Sequence, residues 1–392
     1  MEHPAHPAGG RGPREAALTT RPLVPANGPR ARFFGRGGAN PGNPKVIAMT
    51  EKVSGPRLLE PQPANRGPEA RPHRRLQLKS LGEVAALIAL IVVFAALNPT
   101  SFLTPQNMRT ILELASLPLV VGVGSTLVIL TGSIDLSVEG VMGAGGMTFV
   151  LLTANSRGTA DLGFWALPAA LLVGMGLGLL IGLVHTALKV PSFIVSLGTW
   201  FIGLGIATLL YGDSGIPFLS DAALKSWPTR LTIGLPNAFL LAAVIVLAGI
   251  AVTRFTRLGR FAYAIGNNEE IARANGIPVG RYKVYIFVAA GACSAAAGIL
   301  ASLQLGQGSS TVGNGNLFTT IAAVVIGGTS LGGGRGGILR TAVGVLMLTV
   351  LNNGLILSGV SPNLQSAVSG AVLIAAVLAA AWPHRSRLRI VK

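Results

Sequence analysis

From about residue 80 the sequence is a succession of apolar blocks divided by short polar breaks. A helix needs about 20 predominantly apolar residues to cross a hydrocarbon core of about 30 Å. Ten blocks reach or approach that length: 80–98, 111–131, 136–154, 163–187, 193–211, 233–253, 284–303, 317–331, 337–358 and 364–382. Only 11% of the 392 residues are charged, against about 25% in soluble domains. The pattern predicts an all-α polytopic membrane protein of about ten transmembrane helices over residues 80–382. The eighth block ends in IGGTSL and is short and polar there, which predicts a broken helix sheltered by protein.

The net charge of +17 and pI of about 11.4 would suggest a nucleic-acid binder, but the positions of the charges argue otherwise. Residues 1–79 hold 14 Lys/Arg and 5 Asp/Glu, together with 13 of the 24 prolines. Such a stretch buries too little apolar surface to offset its ordering entropy, so we expect a disordered basic Pro/Gly-rich tail. It has no continuous apolar segment of the kind a secretory signal carries. Residues 383–392 form a second basic tail. A single cysteine, Cys293, excludes an intramolecular disulfide framework.

Basic residues are retained on the cytoplasmic side of a membrane. With the N-terminal tail inside, ten crossings place both 254–283 and the C-terminus inside. The first carries Arg254, Arg257, Arg260, Arg273, Arg281 and Lys283, and the second Arg385, Arg387, Arg389 and Lys392. The opposite connections 304–316 and 359–363 carry no charge.

Gly174, Gly178 and Gly182 recur at four-residue spacing, which lets helix backbones approach where lipid supplies no hydrophobic drive between helices. A weak internal repeat is also visible, with Asp135-Leu136 answering Ser330-Leu331 at an offset of 195. Such symmetry is common among transporters.

The connection 254–283 is longer than a link between spans requires. From Asn268 to Asn275 it predicts a short helix, capped by Asn267 or Asn268, with Glu269 and Glu270 in the first turn and Gly276 and Pro278 stopping it. A short helix at a membrane face suits docking into a partner's groove.

The stretch AIGNNEEIARANGIP (264–278) resembles the ATPase-docking loop of the membrane subunits of ATP-binding-cassette importers. More narrowly, GSIDLSVEGVMG (132–143), VPSFIVSLGTWF (190–201), IAAVVIGGTSLGGGRGGI (321–338) and VLNNGLILSGVS (350–361) are similar to the ribose, xylose and galactose permeases. The resemblance runs over about residues 80–382, in order, and implies a type II-like importer permease in the bacterial cell (inner) membrane, both termini cytoplasmic. It further implies a homodimer with a second permease copy, a cytoplasmic ABC ATPase that binds the ATP and Mg, and a periplasmic or lipid-anchored sugar-binding protein. No cofactor, metal or nucleic acid is expected on this chain. It lacks a GxxxxGK[ST] phosphate loop, so it is expected to be a transport subunit and not an enzyme.

By the same resemblance Asn268, Glu269, Glu270, Ala272, Arg273 and Gly276 form the ATPase-coupling site, Arg273 being placed to pair with an acidic groove. Asp135, Ser137, Ser192, Phe193, Asn352 and Asn353 are the candidates for the translocation pathway or gate. For Asp135, holding a broken helix to Arg335 or to a backbone terminus is an equal alternative. For Asn352 and Asn353, bonding between helices competes with sugar hydroxyls. His185 and Trp200 sit at span ends as interfacial anchors. Two positions depart from the family pattern: Leu204, where Arg is frequent, and Glu139, where Gly follows the DLS-Val run.

Importers of nucleosides or branched-chain amino acids share the loop and are the nearest alternative. An ion-coupled secondary transporter needs ionisable residues deep in its spans, whereas Glu83, Glu113, Asp135, Glu139 and Arg340 are expected near span ends. A membrane enzyme would need a metal cluster or an activated nucleophile, and the sequence suggests neither.

Overall fold

The computed structural model describes residues 74–361 and, beyond them, Leu364, Gln365, Ala367, Val368, Gly370, Ala371, Ile374, Ala375 and Leu378. The expected tail over 1–73, most of the tenth block and the segment 383–392 lie outside the described residues.

Among the described residues nine of the predicted blocks are helices. They are α1 (Arg74–Leu97), α2 (Pro105–Leu130), α3 (Val138–Leu152), α4 (Ala166–Ala187), α5 (Ser192–Tyr211), α7 (Asn237–Phe255), α10 (Val279–Leu305), α11 (Asn316–Ile326) and α12 (Ile338–Leu357). Helix α6 (Ala222–Ser226) lies between α5 and α7, and α8 (Arg257–Asn267) and α9 (Glu269–Ala274) lie between α7 and α10. Among the described residues six helices are long and apolar enough to cross a membrane, while the apolar stretches Gly82–Leu97, Val138–Leu152 and Asn316–Ile326 are shorter. The chain is a multi-pass membrane protein.

Three features depart from the sequence expectation by more than a shift of helix ends. Helix α1 starts at Arg74, inside the segment expected to be tail. The connection between α5 and α7 holds a two-residue ladder, β1 (Leu231–Thr232) against β2 (Leu235–Pro236), which an all-α expectation omits. The connection after α7 contains α8 as well as the expected docking helix.

Local chemistry accounts for the helix ends. Thr104 caps α2 by accepting from the Asn107 amide, with Pro105 in the first turn. Helix α11 stops at Ile326, before Gly327 and Gly328, so the eighth block is the broken helix the sequence predicted.

Helices α2 and α10 are the most enclosed spans, whereas α5 and α7 leave most of their surface uncovered. The contact between α4 and α10 rests on the glycine series. A Cβ at Gly174 would fall on the Gly291 carbonyl, at Gly178 on the Phe287 carbonyl and at Gly182 on the Val284 backbone. The two backbones are therefore in direct contact along three turns.

Candidate functional site

The coupling region begins where α7 ends. The Thr256 side chain caps α8 and the Asn268 side chain caps α9 by accepting from the Ile271 amide. Gly276, at φ +78°, turns the chain in the left-handed region that glycine favours. Helix α9 is fixed to the body on one face: Ala272 is buried with Ile265 and Val279. Glu269 Oε2 lies 2.7 Å from Lys283 Nζ on α10, and Glu269 Oε1 lies 2.8 Å from Arg273. The opposite face leaves Glu270, Ile271, Arg273 and Ala274 exposed.

Burial would raise the Glu269 carboxyl. The hydrogen bond and charge of Lys283, and then those of Arg273, outweigh it and hold the acid below the usual carboxylate range. Lys283 also approaches His185 Nε2 at 3.4 Å, while His185 Nδ1 meets the Val190 carbonyl at 2.7 Å. A carbonyl only accepts, so Nδ1 carries the proton and Nε2 accepts from the ammonium. The residue expected to be an interfacial anchor thus joins α4 to the base of α10.

The pathway candidates are placed differently. Segment 133–136, between the turn at 131–132 and the start of α3, is irregular and pinned to α5: the Ile134 amide donates to Ser192 Oγ at 3.0 Å and the Leu136 amide to Ser196 Oγ at 2.9 Å. Two residues of non-helical chain can advance about 6.6 Å and one helical turn of four residues about 6 Å, so serines at i and i+4 match alternate amides. Asp135 Oδ1 accepts from the Ser137 amide and hydroxyl, at 2.8 and 2.6 Å. It caps its own turn and forms no ion pair with Arg335 among those described. Asn353 is buried and exchanges two hydrogen bonds with Asn107 on α2, at 3.0 and 2.9 Å. Asn352 is half-buried beside it, and Phe193 is exposed.

Residues 107–377 match the family described as branched-chain amino acid transport system / permease component. The chain belongs to this permease family. It is 36% identical to the ribose import permease of Escherichia coli K12 over 75% of this chain and 91% of that protein. It is 37% identical to the ribose import permease of Bacillus subtilis 168, over 77% and 92%. With the xylose transport system permease of E. coli K12 the identity is 31%, over 78% and 92%. No solved structure matches it.

The permease also uses groups that sequence reasoning missed or misplaced. Glu139, expected near the end of a span, is buried, because α3 begins inside the bundle. Its Oε1 accepts from the amides of Gly315 and Leu317, at 3.0 and 3.2 Å, and so caps α11 across the fold. Asn107 lies outside every motif, and Ser196 lies within VPSFIVSLGTWF without being singled out there, so only their partners mark them. A cavity of about 710 Å³ opens among the ends of α3, α4, α6, α7 and α10, walled by Phe149, Leu167, Trp227, Leu241 and Ile299. Its walls are mostly apolar, with the Asp161 and Asp221 carboxylates each accepting from a backbone amide.

Proposed function

We propose that this chain is the transmembrane subunit of an ATP-binding-cassette importer that translocates a monosaccharide. It acts as a homodimer with a cytoplasmic ATPase and an extracytoplasmic sugar-binding protein, in the bacterial inner membrane with both termini cytoplasmic. The observation that carries the reading is helix α9. It is capped at both ends, tied to the base of α10 by Glu269–Lys283 and exposed on the face bearing Glu270, Ile271 and Arg273, in a chain similar to ribose and xylose permeases over most of their length. Closure of the ATPases pushes α9, and the Glu269–Lys283 pair passes that displacement to α10, the helix packed on α2, α3 and α4.

The second copy has a surface to meet. Helix α5 exposes Phe193, Ile194, Leu197, Phe201 and Ile202 beside Gly198 and Gly205, at which nothing lies within 4 Å. Membrane lipid covers the remaining apolar faces. We also assign the internal repeat to whole elements: α10, α11 and α12 start 174, 178 and 172 residues after α2, α3 and α4 and repeat their order of long, short and long. The Asp135/Ser330 likeness at 195 joins loops that are not equivalent in that scheme.

Reconstitution with the ATPase and the binding protein tests the reading. Glu270→Lys reverses the charge of the exposed face, and Gly276→Pro cannot adopt φ +78°. Both should abolish sugar uptake. Intact uptake in either variant would remove α9 from coupling, and uptake of leucine or a nucleoside in place of ribose or xylose would reassign the substrate.

A further inference from the structure

The connection between α10 and α11, GQGSSTVGNG over 306–315, does not stay at the end of the bundle. At its start the Leu219 amide donates to the Gly306 carbonyl and the Gly308 amide to the Pro217 carbonyl. The same 217–220 stretch pairs with the chain just past α3, where Ser220 donates to the Ala154 carbonyl and Ser156 to the Phe218 carbonyl. From there the connection runs antiparallel to α3 along its length. A Cβ at Gly308 would touch Met147, one at Gly143 would touch the Ser310 carbonyl, and one at Gly313 would touch the Glu139 backbone. The contact points on α3 are four residues apart, about 6 Å each, and the connection meets them at 308, 310 and 313, turning over 310–315. It ends on the Glu139 carboxylate, 14 residues before Thr153 and so about 21 Å along the helix axis, well inside a core of about 30 Å.

One side of this re-entrant segment packs on α3. The other bears Thr311, Asn314 and Gly315, with Phe318 in the next turn, all exposed, and the half-buried Thr319 beside it. Thr311 pairs with Ser309 and Thr319 with the Gly315 carbonyl, and among the described residues Asn314 makes only a backbone hydrogen bond, to the Thr311 carbonyl. A carboxamide held at this depth with hydrocarbon as its neighbour is strongly disfavoured. Water or a polar solute is the neighbour that fits. The segment 304–316 is uncharged, so it attracts neither ions nor charged amino acids, whereas an amide, hydroxyls and an aromatic ring suit a neutral polyhydroxyl ring.

We propose that this face lines the permease's translocation path and that the Asn314 carboxamide hydrogen-bonds the hydroxyls of the passing monosaccharide. The proposal rests on the sugar-importer reading and relocates the path from Asp135, Ser137 and Asn353, whose polar atoms are engaged within the fold.

The test uses the full-length chain with Cys293→Ser, its lone cysteine removed, in membranes with its ATPase and binding protein. Asn314→Cys and Thr311→Cys should react with a membrane-impermeant cationic thiosulfonate at least ~10-fold faster than Leu317→Cys, the buried neighbour at the same depth. Asn314→Leu should lower ribose or xylose uptake about 10-fold, the worth of one hydrogen bond to substrate, and Asn314→Gln should retain most of it. Absent labelling, a disulfide between the Asn314→Cys residues of two copies, or unchanged uptake in Asn314→Leu would overturn the proposal while leaving a sugar-importing wild type intact. If the wild type imports leucine and neither sugar, the importer reading fails on substrate, and labelling slowed by leucine overturns the sugar assignment of this face.

Discussion

Lys283 Nζ stands 2.7 Å from Glu269 Oε2 and joins the first turn of α9 to the first turn of α10. The lysine side chain is 10% exposed and the glutamate 38%, so the pair is screened on one side only. Lys283→Met removes the ammonium from both Glu269 and His185 and should release α9 by about 1–2 kcal/mol. Hydrogen exchange at residues 269–276 would then accelerate roughly 10-fold, and less sugar would move per ATP. Exchange unchanged in this segment would mean that Ala272 packing alone holds the helix.

The same pair sets a pH dependence. The folded Glu269 carboxyl lies below its ordinary range, so the unfolded segment takes up a proton first. The stabilisation is fully present above the ordinary glutamate value of about 4.3 and is lost as pH falls through the depressed folded value. Protection of α9, corrected for intrinsic exchange, should be level from neutral pH to about pH 5 and decline below about pH 4. Glu269→Gln should flatten that acid limb.

The cap, acidic first turn and glycine stop of α9 were legible because each acts within a few residues of itself. The Gly174 series was legible because a four-residue period is one helical face. Asn107, Ser196 and the cap made by Glu139 were not, since their partners lie 246, 60 and 176 or more positions away. The DLS run carried a visible motif, yet the structure uses it to turn and pin the backbone. An irregular segment inside a membrane bundle must satisfy its amides locally, and Ser, Asp and Gly are suited to that task as well as to ligand binding.

The glycine series offers an internal control. A Cβ at Gly178 would fall on the Phe287 carbonyl, whereas nothing lies within 4 Å of one at Gly176 on the same helix. Gly178→Ala should part α4 from α10 and destabilise the protein by about 1–3 kcal/mol. Gly176→Ala should be neutral or stabilising by up to about 1 kcal/mol, because alanine is the better helix former. Thermal unfolding in detergent separates the two, and equal effects would contradict the direct backbone contact.

Asn107 and Asn353 each donate one hydrogen bond to the other, and Asn107 also donates to the Phe102 carbonyl at 2.8 Å. Asn353→Leu should cost about 1–3 kcal/mol by stranding half of the Asn107 amide. Adding Asn107→Leu removes the stranded group, so the double variant should lose less than the sum of the two single variants. A double-mutant cycle on the unfolding midpoint measures that coupling, and additivity would place the two amides outside a shared bond.

Glu139 gives the clearest separation of shape from charge. Its Oε1 accepts from Gly315 and Leu317, two amides at the start of α11 that no turn of the helix can satisfy. Glu139→Ala leaves both without an acceptor inside the bundle and should cost about 2–4 kcal/mol. Glu139→Gln keeps an oxygen in place and loses only the charge facing the positive end of the helix, about 1 kcal/mol. The unfolding midpoint in detergent should therefore fall in the order wild type, Gln, Ala. Because α11 carries the re-entrant connection, Glu139→Ala should also increase thiol labelling of Leu317→Cys, whereas Glu139→Gln should not. Equal loss in the two variants would assign the cap to charge and not to the acceptor geometry.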